Sequence, residues 1–365
     1  MRNKISFIVF LIISMVTQTS YATASDVFNY SVTINETFDL SNPSLVSIWK
    51  KDIDGTAPNG FPATTEFYLT CLSDKNPDYG ACPVYPVWAS RGGTYVSLSF
   101  SEKRSGMKHT VTVEGTEIGP CSAAKFASTA AGCDWGPTRY NVYISAEELK
   151  KFPVGGIWMA HLKMRTGEWH AGKGSSGGWP GFMGTYWTAD ITLHITDNNN
   201  IRIWLPQFHG STANVVMPVM PAYWALNKPG LVSAEKVVET CLYDGYNSNS
   251  QRFEVTLNSN YTDSTTQDFL LQNTSEPTSK PLHYQVLASP PGQSGAMQRL
   301  NPGVTQTYTG INSTGIRQVI MPGLQTPVAC VPWPIRIKLL PFDLSRQAAG
   351  HYNGTFSITF TPSLY

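Results

Sequence analysis

Short runs of alternating apolar and polar residues, separated by Gly, Pro and Asn, recur along most of the chain. Alternation with a period of two places every second side chain on one face of a strand, so each run predicts a strand with one buried face. The chain holds 30 Gly and 25 Pro, and its charged fraction of 14% is well below that of an average soluble domain. Coiled coils, helical bundles and acidic disordered chains are therefore disfavoured, and the expected fold class is all-β.

The strand patterns fall into two groups. The clearest ones cover Thr94–Phe100, Gly156–Arg165, Tyr186–Thr196, Ile201–Phe208, Phe253–Leu257, Leu282–Leu287, Ile335–Leu340 and Gly354–Thr361. Many short strands over a mature length of about 340 residues predict two immunoglobulin-like β-sandwich domains in tandem. One short helix is expected at Ser145–Lys151, because Ser145 and Glu148 have the spacing of a capping box.

The first 24 residues have the pattern of a secretory signal peptide. Arg2 and Lys4 precede an apolar run, and Ala22-Thr23-Ala24 is a small-residue cleavage signature. The apolar run, Ile5–Val16, is too short for a membrane span, so we expect an exported protein. The net charge of the whole chain is only +1, and no dense Lys/Arg stretch follows the signal, so nucleic-acid binding is disfavoured.

The polar tract Asp197–Asn200 is the expected break between the two domains and contains the expected linker, 198–200, because the tract is turn-forming and lies between two alternating runs. We therefore expect a first domain at 25–197 and a second at 201–365. Six cysteines in an exported chain favour disulfides over a zinc site, which would need closer ligand spacing. Pairing of neighbours gives Cys71 with Cys82, Cys121 with Cys133, and Cys241 with Cys330.

The last strand pattern places Phe356, Ile358 and Phe360 on one face, and few residues follow it. We therefore expect the second sandwich to lack its last strand. An unpaired apolar edge promotes aggregation unless something covers it. Either the first strand of the same domain covers it, or a strand from another polypeptide inserts there.

A set of short motifs resembles the class 5 fimbrial tip adhesins, which include the colonization factor adhesins of enterotoxigenic bacteria and the pilus biogenesis initiators. The motifs follow the family's order across nearly the whole mature chain. They are Cys71-Leu72-Ser73, Gly80-Ala81-Cys82-Pro83, Ser101-Glu102-Lys103-Arg104-Ser105, Gly155-Gly156-Ile157-Trp158, Ile203-Trp204-Leu205-Pro206-Gln207-Phe208, Cys241-x-Tyr243-Asp244-Gly245-Tyr246, Gly350-x-Tyr352-x-Gly354 and Phe360-Thr361-Pro362.

This resemblance implies a minor subunit at the tip of a fimbria, with an adhesin domain followed by a pilin domain that opens at Ile201. It implies export through the periplasm to the cell surface, with a periplasmic chaperone and an outer-membrane usher as partners. It also implies that a strand donated by the major pilin subunit completes the pilin domain. Phe356, Ile358 and Phe360 then form the expected acceptor edge.

The family's receptor site is a basic surface, and the corresponding positions here are Glu66, Glu168 and Trp169. The relatives' receptor therefore does not transfer to this chain. Instead, the glycine-rich segment Thr166–Gly184 is expected to be a loop that binds a host glycan through its aromatic rings. The candidate receptor-binding residues are Trp169, His170, Lys173 and Trp179, with Trp88 and Arg91 expected nearby. Two alternatives stay open, namely tryptophans that only pack the loop onto its sheet, and a protein or glycoprotein receptor.

No residue pattern supports catalysis, a metal site or a cofactor. His161 and His194 could meet across a sheet, but no further ligand completes a metal set. The pairs Asp52/Asp54 and Glu147/Glu148 lack a glycosidase signature, and no Gly-x-Ser-x-Gly motif is present. The competing functions are an exported carbohydrate-active enzyme and a purely structural fimbrial initiator.

Overall fold

A computed structural model describes residues 29–50, 65–87, 91–118, 123–126, 139–170, 179–222 and 230–363. The expected signal peptide, the Cys121–Cys133 bridge and the residues Asp52, Asp54, Trp88 and Lys173 lie outside these ranges. The described chain is built from strands, with short 3-10 turns and a single four-residue α-helix, which confirms the all-β prediction. None of the helices in these ranges has the length and apolar character needed to cross a membrane.

The first half of the described chain forms one hydrogen-bonded sheet. In chain order its elements are β1 (Tyr30–Asp39), β2 (Val46–Trp49), β3 (Thr65–Cys71), β4 (Thr94–Glu102), β5 (Lys108–Ile118), β6 (Ala123–Ala124), β7 (Arg139–Ile144), α1 (Ala146–Leu149), β8 (Gly156–His170) and β9 (Trp179–Thr196). The strand order is β1-β9-β8-β4-β5-β7-β2, with β3 paired to β8 and β6 paired to β5.

This sheet folds over on itself, as ring contacts across its core show. Trp187 on β9 lies with its ring centroid 5.3 Å from that of Trp49 on β2 and 5.3 Å from that of Tyr140 on β7. Three strands separate β9 from β7 in the sheet order, so these contacts require two facing layers. Fully buried side chains from both layers, such as Phe100 and Trp158, fill the space between them.

The second half is divided among smaller sheets. Its strands are β10 (Arg202–Trp204), β11 (Met220–Pro221), β12 (Leu231–Val238), β13 (Cys241–Tyr243), β14 (Arg252–Asn258), β15 (Phe269–Asn273), β16 (Leu282–Ala288), β17 (Gln298–Leu300), β18 (Thr305–Thr309), β19 (Arg317–Val319), β20 (Val328–Pro332), β21 (Ile335–Asp343), β22 (Tyr352–Asn353) and β23 (Ser357–Ser363). The sheet orders are β10-β13-β20-β19, β11-β12-β21-β16-β15-β22 with β17 on β16, and β18-β14-β23. A separate buried cluster that includes Phe253, Val286 and Trp333 lies between them.

Three sequence predictions need correction at their ends. The strand expected over Gly354–Thr361 begins only at Ser357, so Phe356 lies just before the strand and not within it. The strand expected over Ile201–Phe208 covers only Arg202–Trp204, because Pro206 lacks an N–H for a sheet and begins a 3-10 turn instead. The expected helix shrinks to Ala146–Leu149, although Ser145 Oγ accepts the capping hydrogen bond from Glu148 N at 3.4 Å. Disulfides join Cys71 to Cys82 and Cys241 to Cys330, as the spacing predicted.

The two halves pack directly against each other. Trp204, Tyr243 and Met321 of the second half belong to the same buried cluster as the core of the first half. Asn198–Asn200, the expected linker, forms a 3-10 turn, and Asp197 N beside it donates to Gly245 O at 2.8 Å. The junction therefore combines an apolar contact with main-chain hydrogen bonds.

Gly155 is the tightest point of this junction, and it provides a test. A Cβ at Gly155 would lie only 2.0 Å from Gly245 O, whereas a Cβ at Gly295 would meet no atom within 4 Å. We expect Gly155→Ala to force the halves apart and to lower the free energy of unfolding by about 1–3 kcal/mol, the usual cost of overpacking. Urea unfolding and proteolysis between residues 196 and 202 would measure this effect. Equal losses for Gly155→Ala and the control Gly295→Ala would contradict it.

Candidate functional site

The segment expected to be a loop, Thr166–Gly184, is strand at both ends. Strand β8 continues to His170 and β9 begins at Trp179, so the two form one long hairpin. The pairing register shifts between Arg165 and Gly167, which marks a bulge with buried Thr166 in it. A Cβ at Gly167 would lie 2.1 Å from Cζ of Tyr68, so glycine lets the neighbouring strand β3 approach closely. Gly167 therefore serves strand packing at this end of the hairpin, while residues 171–178, the middle of the expected loop, lie outside the described ranges.

The backbone register brings several predicted receptor-binding positions together at the end of the hairpin. Trp169 lies opposite Pro180 on β9 and opposite Glu66 on β3, while His170 pairs with Trp179. Glu168 is next to Trp169 and pairs with Phe67. Three positions were compared above with the family's basic receptor site, namely Glu66, Glu168 and Trp169. They are thus adjacent in this sheet.

Trp88 and Lys173 lie outside the described residues. Arg91 is exposed and precedes β4 by three positions, and none of the described contacts joins it to the hairpin. The expectation that Trp88 and Arg91 lie near the hairpin therefore stays a prediction.

An exposed aromatic cluster lies beside these positions, and the sequence reasoning did not identify it. Tyr85 and Phe182 are 70% and 43% exposed, and Val87, two residues after Tyr85, is 58% exposed. The ring centroid of Phe182 is 6.5 Å from that of Tyr85 and 6.0 Å from that of Tyr68. We call Tyr85, Val87, Arg165 and Phe182, together with the position of Trp169, the hairpin-end surface. The register places the positions of His170 and Trp179 on the other face of the hairpin, so the expectation that Trp169 and Trp179 form one binding surface is wrong.

Arg165 joins the two parts of this surface. Its guanidinium carbon lies 3.5 Å from the centroid of the Phe182 ring, a cation–π contact, and its Nη2 donates to Val84 O at 2.7 Å. The Cys71–Cys82 disulfide and the hydrogen bond from Cys71 N to Pro83 O hold the start of the same segment against β3. Tyr85 and Val87 are therefore presented next to the hairpin by a covalent bond and an arginine.

The outer face of the hairpin continues from this surface toward the second half of the molecule. Lys163 Nζ lies 4.2 Å from the centroid of the Tyr186 ring. His161 Nδ1 is 2.6 Å from Asp190 Oδ1, and His194 Nδ1 is 2.6 Å from Tyr246 Oη. The two histidines therefore have separate partners, and no group of three potential metal ligands occurs in the described part of the chain.

The other predicted site is the acceptor edge. Strand β23 pairs with β14 from Ser357 to Ser363 and stands at the end of its sheet order, so its second edge has no strand partner among the described residues. Phe356, Ile358 and Phe360 pack only partly buried against the second core. The Phe360 ring lies 4.8 Å from that of Phe253, centroid to centroid. An open main-chain edge thus runs beside half-covered apolar side chains.

Two tandem β-domains, one with an exposed aromatic surface and one with an open final strand, are the features of a two-domain fimbrial adhesin. The family model for the first domain of CfaE, a protein of CFA/I fimbriae, matches residues 17–198, and that for its second domain matches residues 201–364. The chain therefore belongs to the CfaE family of CFA/I fimbrial proteins, which confirms the resemblance seen in its motifs, and it is a minor tip adhesin of a fimbria.

Known proteins agree with this assignment. The curated CFA/I fimbrial protein CfaE of Escherichia coli is 32% identical over 309 residues, which cover 80% of this chain and 79% of that protein. The crystal structure of CfaE, the adhesive subunit of CFA/I fimbria of enterotoxigenic Escherichia coli, is 27% identical and covers 92% of this chain and 93% of its own, with a TM-score of 0.73. The structure of a chaperone-tip adhesin complex from the biogenesis of CFA/I fimbriae is 26% identical and covers 92% and 97%, with a TM-score of 0.66.

Proposed function

We propose that the chain attaches a bacterium to host cells through glycans and initiates assembly of its fimbria, and that it binds without chemical turnover. In this proposal residues 1–24 are removed, 25–197 bind the receptor, 198–200 link the domains, and 201–365 form the pilin domain. Family membership supports the fimbrial part, since the matched relatives are fimbrial proteins and one is an adhesive subunit. The exposed aromatic cluster supports the adhesive part and is the observation on which it rests.

The chemistry of the hairpin-end surface favours a neutral glycan. Exposed rings such as Tyr85 and Phe182 can cover the apolar face of a sugar while polar groups bind its hydroxyls. Arg165 stacks on the Phe182 ring and donates from Nη2 to Val84 O, so it holds the surface in place, although its Nε has no hydrogen-bond partner among the described residues. Glu66 and Glu168 disfavour an acidic sugar, since like charges repel.

The proposed partners follow from the open edge and from the relatives. A solved relative is a chaperone-tip adhesin complex, so we infer that a periplasmic chaperone holds this chain before assembly. An outer-membrane usher would then pass it to the cell surface at the fimbrial tip. The amino-terminal segment of a major pilin subunit would pair with the free edge of β23 and cover Phe356, Ile358 and Phe360.

Aromatic substitutions test receptor binding. We expect Phe182→Ala, Trp169→Ala and Tyr85→Ala each to weaken adhesion to host cells about tenfold, because one lost ring contact is worth about 1 kcal/mol or slightly more. Tyr95→Ala is the matched control, since Tyr95 is an exposed aromatic residue of β4 that lies outside the hairpin-end surface. Adhesion counts and melting temperatures of all four variants would be measured together.

The same assay separates the alternatives. Normal adhesion by all three folded variants, or loss of adhesion after sialidase treatment of the host cells, would show that this site assignment is wrong. Binding through stacking should change little with added salt, unlike recognition of an acidic sugar by arginine. A glycan array that shows turnover would favour the carbohydrate-active enzyme, and full adhesion by fimbriae without residues 25–197 would favour a structural initiator.

A further inference from the structure

A cleft of about 600 Å³ lies between the two halves of the molecule, away from the hairpin-end surface. Clefts of this size hold small organic ligands such as one or two sugar rings. Both halves contribute to its wall. The lining side chains with nitrogen or hydroxyl groups include Lys103, Arg104, His194, Tyr246, Asn249 and Gln251.

Two adjacent cations line this cleft. The carboxylates that touch its wall, Asp39 and Glu102, accept hydrogen bonds from Thr196 Oγ1 and Asn249 Nδ2 and from neither cation's side chain. Lys103 and Arg104 take part in no salt bridge within the described ranges, and no Asp or Glu lines the cleft directly. Arg104 Nη2 donates to Asn312 O of the second half at 2.6 Å, while its Nε is buried and has no hydrogen-bond partner in the described chain. Neighbouring like charges repel, so an anion between them would be stabilising.

Glu102 is the nearest carboxylate in the sequence, and it is already satisfied. Its side chain is only 1% exposed, and its Oε2 accepts hydrogen bonds from Arg104 N, Ser105 N and Asn247 Nδ2 at 3.0, 2.6 and 2.7 Å. Ile157 N donates to its Oε1 at 3.3 Å. The carboxylate of Glu102 therefore orders the turn that carries Lys103 and Arg104 and links it to the second half, rather than neutralising their side chains.

We propose that this cleft binds an acidic sugar, with its carboxylate at Lys103 and Arg104. Charge-assisted hydrogen bonds to a carboxylate are stronger than neutral ones. In the remaining wall, Thr37 and Gln251 offer a hydroxyl and an amide that match the hydroxyls of a sugar ring. Thr196 Oγ1 already donates to Asp39 Oδ2 at 3.0 Å, and Asn249 Nδ2 donates to Tyr246 O at 2.8 Å. The volume of the cleft exceeds the need of a small inorganic anion. A ligand that contacts both halves should stabilise their packing against each other, because it binds the folded protein and not the unfolded chain.

Glucuronate and glucose are matched probes, because they differ only in the carboxylate. Calorimetry with the full chain should show glucuronate binding at least about tenfold more tightly than glucose, with affinity that falls as salt is added. Lys103→Gln should weaken glucuronate binding about tenfold. The control variant is Lys150→Gln, because Lys150 is an exposed lysine that follows α1 and pairs with Glu147. This change should leave glucuronate binding unchanged.

Three results would overturn the proposal. They are equal affinity for glucuronate and glucose, unchanged binding by folded Lys103→Gln, and sulfate binding as tight as glucuronate binding. The last result would reduce the site to one for a simple anion. Phe182→Ala should not change glucuronate binding, so failure of this proposal is distinguishable from failure of receptor binding at the hairpin-end surface.

Discussion

Fusion of a major-pilin amino-terminal segment after Tyr365 should raise the melting temperature of the pilin domain by about 10 °C. Phe356, Ile358 and Phe360 are half-buried at the open edge of β23, and full burial of a large apolar side chain is worth about 1.5–3 kcal/mol. Completing the burial of three such side chains therefore contributes roughly 2–4 kcal/mol, which is about 10 °C for a domain of this size. New main-chain hydrogen bonds along β23 add to this effect.

A register control distinguishes strand insertion from a general effect of the fusion. Shifting the apolar residues of the donor by one position turns them away from the groove, since side chains alternate along a strand. The shifted donor should give little stabilisation in calorimetry. An unchanged melting temperature with the native donor, or equal stabilisation by both donors, would count against an open acceptor edge.

Much of the fold could be predicted because its strands bury one face each. The alternation at Val96, Leu98 and Phe100 identified β4, and in the structure all three side chains are fully buried. Partners that are distant in sequence could not be predicted in this way. Strand β1 pairs in parallel with β9, from Tyr30 opposite Trp187 to Asp39 opposite Thr196, and no local pattern defines that register.

The functional surface was predictable only in part, for a related reason. The tryptophans of the hairpin stood out in the sequence, but glycines there suggested a loop, whereas Gly167 in fact makes room for Tyr68. Tyr85 joins Phe182 only because the Cys71–Cys82 bridge and Arg165 hold its segment against β3 and β8. The cleft cations are likewise adjacent in sequence, but their setting depends on contacts such as Glu102 with Asn247, which are 145 residues apart.

Loss of the Cys241–Cys330 disulfide should destabilise the protein more than loss of the Cys71–Cys82 disulfide. The bridged cysteines are 89 and 11 residues apart, respectively. In the chain-entropy model these separations correspond to about 4–5 and about 3 kcal/mol of stabilisation, because the longer loop restricts the unfolded chain more. The longer bridge also joins β13 and β20, neighbouring strands beside the junction of the two halves.

Paired alanine variants test this order directly. Urea unfolding of Cys241→Ala/Cys330→Ala should give the larger loss, and a loss near 4–5 kcal/mol approaches the total stability of many domains. The Cys71→Ala/Cys82→Ala variant is the matched control, since its cysteines are also buried and its cavities are of similar size. A reversed order would contradict the entropic explanation. Peptide mapping that found a bridge between residues before Asn198 and residues after Asn200 would contradict the predicted confinement of each bridge to one half.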